Sequence, residues 1–101
     1  MDRNELVQLI VRAVQDFAMS AKGIQLTEVT ESTALFGRKG LLDSLGLVSV
    51  VLDIEQEVNG RLNVSVSLAD DRAMSQTKSP FRTVASLADY TLTLIQEQKG
   101  G

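Results

Sequence analysis

A chain of 101 residues with 44% apolar, 23% charged and 4% aromatic side chains has the composition of one small, helical globular domain with an aliphatic core, and it is too short for two cores. A net charge of -3 argues against the basic stripe on which nucleic-acid affinity depends and favours a positively charged protein partner. Cysteine and histidine are both absent, which excludes a disulfide, a Cys/His zinc site, a thiolate nucleophile and a Ser-His relay.

No run approaches the 18 or so apolar residues of a membrane span, and Asp2, Glu5, Arg12 and Asp16 interrupt any signal core within the first twenty positions. These features predict a cytoplasmic protein with a single domain over residues 1–101. Its ordered core is expected over about 3–97, followed by a short flexible tail at 98–101.

The first element is a helix from about Arg3 to about Ser20. Asp2 followed by Glu5 has the spacing of a capping box variant. Leu6, Ile10, Val14 and Phe17, joined by Val7, Ala13 and Ala18, form one apolar stripe, and Gly23 supplies the stop. Residues 24–43 keep no period, yet Ile24, Leu26, Val29, Leu35 and Phe36 are too apolar for a free loop and are expected to pack over the helices. Leu35-Phe36-Gly37 reads as a hydrophobic anchor with a turn glycine, and Arg38, Lys39 and Gly40 as a solvated loop tip.

The stretch Gly40-Leu41-Leu42-Asp43-Ser44-Leu45-Gly46-Leu47 joins that loop to an apolar run. A second helix is predicted from Ser44 to Val58, with Asn59-Gly60 as its stop signal. Asp43 or Ser44 caps it, so Ser44 stands at a helix N-terminus, where the dipole and free amides favour a phosphate. At about 100° per residue, Leu47, Val50, Val51, Ile54 and Val58 share an arc of about 100°, the width of a core-facing stripe. Leu45, Val48 and Leu52 form a second apolar arc, set off from the first at Glu55. Either the helix is central and packs on two sides, or this second arc docks partner proteins.

After Gly60, Leu62, Val64, Val66 and Leu68 alternate with polar residues in the period of a strand. A lone strand has nothing to pair with, so residues 61–66 are read as an extended connector pinned to the bundle. Ser67 and Asp70 then cap a short helix from Leu68 to about Met74, and residues 75–80 make a polar loop. The last helix is predicted to begin after Thr83, in preference to Pro80, and to end by about Glu97. Its shared face holds Val84, Leu87, Ala88, Thr91 and Ile95, although Tyr90-Thr91-Leu92-Thr93-Leu94 also alternates as a strand would.

Asp43-Ser44-Leu45, with Gly40 before it, Glu55-Gln56-Glu57 closing the apolar run after it, and Phe81-Arg82-Thr83-Val84-Ala85-Ser86-Leu87 further on, resembles the acyl carrier protein family over about residues 3–97. The resemblance implies an all-α, four-helix bundle with three longer helices, one short helix and a long loop between helices 1 and 2. It implies that Ser44 carries a covalent 4'-phosphopantetheine arm derived from coenzyme A. Asp43 would support that site, and Arg38 and Lys39, read above as a solvated loop tip, could alternatively meet the arm's phosphate. No catalytic residue and no resident metal are implied; magnesium belongs to the phosphopantetheinyl transferase. The other expected partners are an acyl-loading ligase or transferase and enzymes of ketosynthase or acyltransferase type, meeting a monomeric carrier at Leu45, Val48, Leu52 and Asp53.

The sequence departs from the family's fatty-acid carriers in two places. Gly46, Leu47, Val48 and Ser49 occupy the first turns of helix 2, and the acids wait until Asp53, Glu55 and Glu57, which shifts docking from charge toward apolar contact. The connector from Asn59 to Lys78 is also long. Both point to a specialised stand-alone carrier of fatty-acid, lipid or polyketide-type biosynthesis. A peptidyl or D-alanyl carrier is the nearest alternative, and an unmodified helical interaction module is the bland one. An enzyme with Ser44 as nucleophile would lack a histidine base, and neither Lys39 nor Asp43 is evidently placed to replace it.

Overall fold

Asp2 stands in extended conformation and its carboxylate accepts the Glu5 amide at 2.8 Å, which starts α1 (Arg3–Lys22). Gly23 closes it with φ of 65°, the left-handed C-terminal position that glycine adopts without strain, and its amide returns to the carbonyls of Ala18 and Met19. The computed structural model describes residues 2–23, 25, 28–35, 42–68 and 81–100, with the backbone alone at 44, 99 and 100. Among these residues the protein is all-helical, with α2 (Ser44–Leu62) and α3 (Val84–Gly100) following α1, and it has no strand.

The predicted stripes turn inward. Leu6, Val7, Ile10, Val14 and Ala18 of α1 are buried, with Ala13 and Phe17 half-buried beside them. On α2, Leu47, Val50, Val51, Ile54 and Val58 are all buried, and on α3 so are Val84, Leu87, Ala88, Thr91 and Ile95. α1 packs against both other helices. Each buried Val, Leu or Ile among them contributes about 1.5–3 kcal/mol through removal from water, so these stripes are a main source of the fold's stability.

α2 overrides its expected stop and continues four residues past Val58 to Leu62, ending at Asn63 with φ of 54°. Residues 61 and 62 therefore belong to the helix and not to the connector. Two facts explain the correction. Gly60 is exposed in the helix interior, where it costs only about 1 kcal/mol relative to alanine. Asn59 gains tertiary hydrogen bonds by staying helical: its Nδ2 donates to the Val66 carbonyl at 3.1 Å and its Oδ1 accepts the Val66 amide at 2.9 Å.

One turn earlier on α2, Glu55 accepts the Leu68 amide at 2.9 Å. Residues four apart on a helix rise by about 6.0 Å, and residues two apart on an extended chain by about 6.6 Å. The two spacings match, so Glu55 and Asn59 serve residues 64–68 as a surrogate strand. This resolves the unpaired alternation: Val66 and Leu68 are buried, whereas Asn63, Ser65 and Ser67 are exposed. The short helix predicted from Leu68 to Met74 lies, apart from Leu68, outside the described residues, as does the loop at 75–80.

α3 starts after Thr83, as predicted, and each of its first four amides has a partner. Val84 donates to the Thr33 carbonyl at 3.2 Å, Ala85 to the Glu31 carbonyl at 2.9 Å, Ser86 to Thr83 Oγ1 at 3.1 Å and Leu87 to the Thr83 carbonyl at 3.1 Å. The long loop thus caps a helix that is distant in sequence. Leu35, fully buried, donates to the Arg82 carbonyl at 2.7 Å, and Leu42 donates to the Leu35 carbonyl at 2.9 Å. Leu35 is the expected anchor, and Val29 packs half-buried against the core. Ile24, Leu26 and Phe36 to Gly40 lie outside the described residues.

The strand-like run at 90–94 is helical. Thr91 Oγ1 donates to the Leu87 carbonyl at 2.7 Å and Thr93 Oγ1 to that of Asp89 at 3.0 Å, so both β-branched residues satisfy their hydroxyls within the helix. α3 continues to Gly100, beyond the expected end near Glu97, because Gln96, Glu97, Gln98 and Lys99 are good helix formers and no stop precedes Gly100. Arg3 at the start of α1 pairs with Glu31 of the loop and Asp89 of α3, and these hydrogen bonds, Asp89 first, raise its pKa above the ordinary value. No helix among the described residues is long and apolar enough to cross a membrane.

Candidate functional site

Asp43, not Ser44, is the cap of α2. It is extended, its Oδ1 accepts the Gly46 amide at 2.7 Å, and its carbonyl accepts the Leu47 amide at 2.8 Å. Ser44 is consequently the first helical residue, at the positive end of the helix dipole. Leu42 before the cap and Leu47 in the first turn occupy the two positions of a hydrophobic staple, and both are buried in the core. The entry of the chain into α2 is therefore fixed on both sides of Ser44.

The first turn is held from α1 as well. Gly46 is buried, and a Cβ built there would come within 2.9 Å of Phe17 Cε1, 3.0 Å of Phe17 Cζ and 3.1 Å of Asp43 Oδ1. This close approach is not legible in the sequence, where Phe17 counts only as a stripe residue. The sign available is a glycine in the first turn of an otherwise apolar helix.

Leu45 is 81% exposed and Leu52 is 42% exposed, while Val48 between them is half-buried. These three lie on one side of α2. The described structure does not bury the arc as a second packing face, although Asn59, which falls between Leu52 and Val48 around the helix, and Glu55, just beyond Val48, are taken up by the connector. Asp53 is exposed but does not join that arc: it lies about 80° from Leu45 around the helix. It lines an open groove of about 360 Å³ between α1 and α2, with Arg12, Asp16 and Glu57 at the rim and Leu9 and Ile54 beneath.

Ser44 thus stands between exposed Asp43 and exposed Leu45 on a turn clamped by a cap, a staple and an aromatic contact. A hydroxyl-bearing residue at the first position of a helix is suited to carry an anionic phosphodiester, because the helix dipole favours negative charge there. Among the described residues no group of three or more His, Cys, Asp or Glu side chains gathers to hold a metal ion. Compared with known proteins, the chain matches no family model, no curated protein and no solved structure.

Proposed function

We propose that this chain is a carrier protein of the acyl-carrier type, modified at Ser44 by a 4'-phosphopantetheine arm taken from coenzyme A. The observation that carries the reading is the position of Ser44 as the first residue of α2, directly behind the Asp43 cap. The residues present fit the group: the serine offers a hydroxyl for a phosphodiester, and the helix dipole favours the charge that ester brings. The arm supplies the thiol that a cysteine-free chain lacks, and with it the means to hold an acyl group as a thioester.

The protein performs no reaction in this account. Asp43 keeps the first turn formed and is a contact for the transferase, whose site holds any magnesium. Leu45, Val48 and Leu52 meet the loading ligase or transferase and the ketosynthase- or acyltransferase-type enzymes, with Asp53 contributing from the groove flank. Weak, exchangeable docking suits a carrier that must visit several partners in turn. The short helix expected at 68–74 would complete a four-helix bundle but lies, apart from Leu68, outside the described residues, and on this reading the carrier is a monomeric, cytoplasmic protein. A peptidyl or D-alanyl carrier would share every one of these features and differ in which ligase loads it.

Incubation with coenzyme A, magnesium and a broad-specificity phosphopantetheinyl transferase tests the proposal, with Ser44→Ala as the control. A helical interaction module, favoured by the exposure of Leu45 and Leu52, would take up no mass under conditions that load a control carrier.

A further inference from the structure

We propose that Phe17 is a positioning residue for Ser44: its ring, seated against Gly46, sets where the first turn of α2 lies, and position 46 must be glycine for that seat to exist. The inference rests on the carrier reading for its consequence, but the contact itself is a property of the fold.

Phe17 comes from the last part of α1, next to the buried Val14 and Ala18, so its backbone is held by the core. Gly46 is two residues from Ser44, and its amide is the one that Asp43 Oδ1 accepts. Any Cβ at 46 comes within 2.9 Å of the ring and 3.1 Å of the capping carboxylate. Ordinary carbon–carbon contact is about 3.5–4.0 Å, so with a methyl group there the ring or the turn must give way by about 0.6 Å or more. Displacement of about 1 Å at a reacting group can cost about a hundredfold in rate, and a shift of this size is placed to change how Ser44 is presented.

Helix propensity works in the opposite direction. Alanine is favoured over glycine inside a helix, which offsets the crowding in global stability. Loading rate and thermal stability should therefore separate in Gly46→Ala, which a general loss of structure would not produce.

The test compares wild type, Gly46→Ala, Phe17→Leu and the Phe17→Leu/Gly46→Ala pair, using coenzyme A and a phosphopantetheinyl transferase, with kcat and KM for the carrier measured separately. The expected result is a fall of about tenfold in kcat for Gly46→Ala with KM changed less, and recovery to within about threefold in the pair, where the shorter side chain vacates the ring's place. Amide NMR shifts of Asp43 and Ser44 should move in Gly46→Ala and return toward wild type in the pair. If the wild type loads and Gly46→Ala loads equally fast, the positioning role is overturned. If the wild type does not load at all, the carrier reading fails instead. The NMR comparison then decides the contact alone, and shifts that do not return in the pair would overturn it.

Discussion

Asn59 and Val66 are hydrogen-bonded to each other in both directions, through Nδ2 to the Val66 carbonyl and from the Val66 amide to Oδ1. A side-chain amide on a helix here does for an extended segment what a neighbouring strand does in a sheet. Because both bonds are partly buried, replacing Asn59 leaves a backbone donor and acceptor without partners, which is the costly way to lose a hydrogen bond.

Asn59→Ala should therefore lower stability by about 1–3 kcal/mol. Asn59→Asp retains the acceptor for the Val66 amide but no donor for its carbonyl, and should fall between wild type and alanine. Urea unfolding of the three proteins checks the order. Equal stability of alanine variant and wild type would mean that the connector is held by Val66 and Leu68 burial alone.

Two glycines should respond with opposite sign. Gly60 lies within α2, and a methyl group added there would meet nothing within 4 Å, so Gly60→Ala should stabilise by about 0.5–1 kcal/mol. Gly23 has equally open surroundings but a φ of 65°, so Gly23→Ala should destabilise by about 1 kcal/mol. Paired denaturation curves distinguish backbone conformation from space as the cause.

Removing the cap with Asp43→Ala should cost about 1 kcal/mol, since the Gly46 amide loses its partner. Asp43→Asn keeps an acceptor oxygen and should stay within a few tenths of a kcal/mol of wild type. If the transferase also reads the carboxylate, Asp43→Asn will load slowly while remaining stable; thermal melts beside a loading assay separate the two roles.

Arg3 joins Glu31 and Asp89 at an exposed site, where ion pairs are weak and screened by salt. Arg3→Ala should lower the Tm slightly in dilute buffer, and the difference should vanish at high salt. The raised pKa of Arg3 means that its own charge persists at every pH below its ordinary value, so the pairing is not lost by titration of Arg3 near neutrality. Melting curves at low and high ionic strength supply the comparison.

Much of the fold is legible in the sequence where local chemistry and burial agree. Asp2 and Gly23 bracket α1, the arc from Leu47 to Val58 faces the core, and Thr83 rather than Pro80 precedes α3. The end of α2 is not legible, because Asn59-Gly60 is a stop signal only when nothing rewards continuation, and the bonds from Asn59 to Val66 come from seven residues away. The alternation that continues through 64–68 marks a pinned connector, but its partners, Glu55 and Asn59, are polar side chains on a helix, which no strand pattern in the sequence points to. At the site, the sequence marks Asp43 and Ser44 but leaves the cap undecided between them; the geometry at Gly46 decides it. Proximity along the chain groups Asp53 with Leu45, Val48 and Leu52, whereas helical rotation carries it to the groove beside α1.

The measurement that tests the central claim most directly is tandem mass spectrometry of the tryptic peptide Gly40–Arg61 after incubation with coenzyme A, magnesium and a phosphopantetheinyl transferase. That peptide holds two serines, Ser44 and Ser49, so fragment ions assign the site as well as the mass. The account predicts one phosphopantetheine on Ser44 and none on Ser49, with no adduct in Ser44→Ala. An unmodified peptide under conditions that load a control carrier, or an adduct on Ser49, would contradict it.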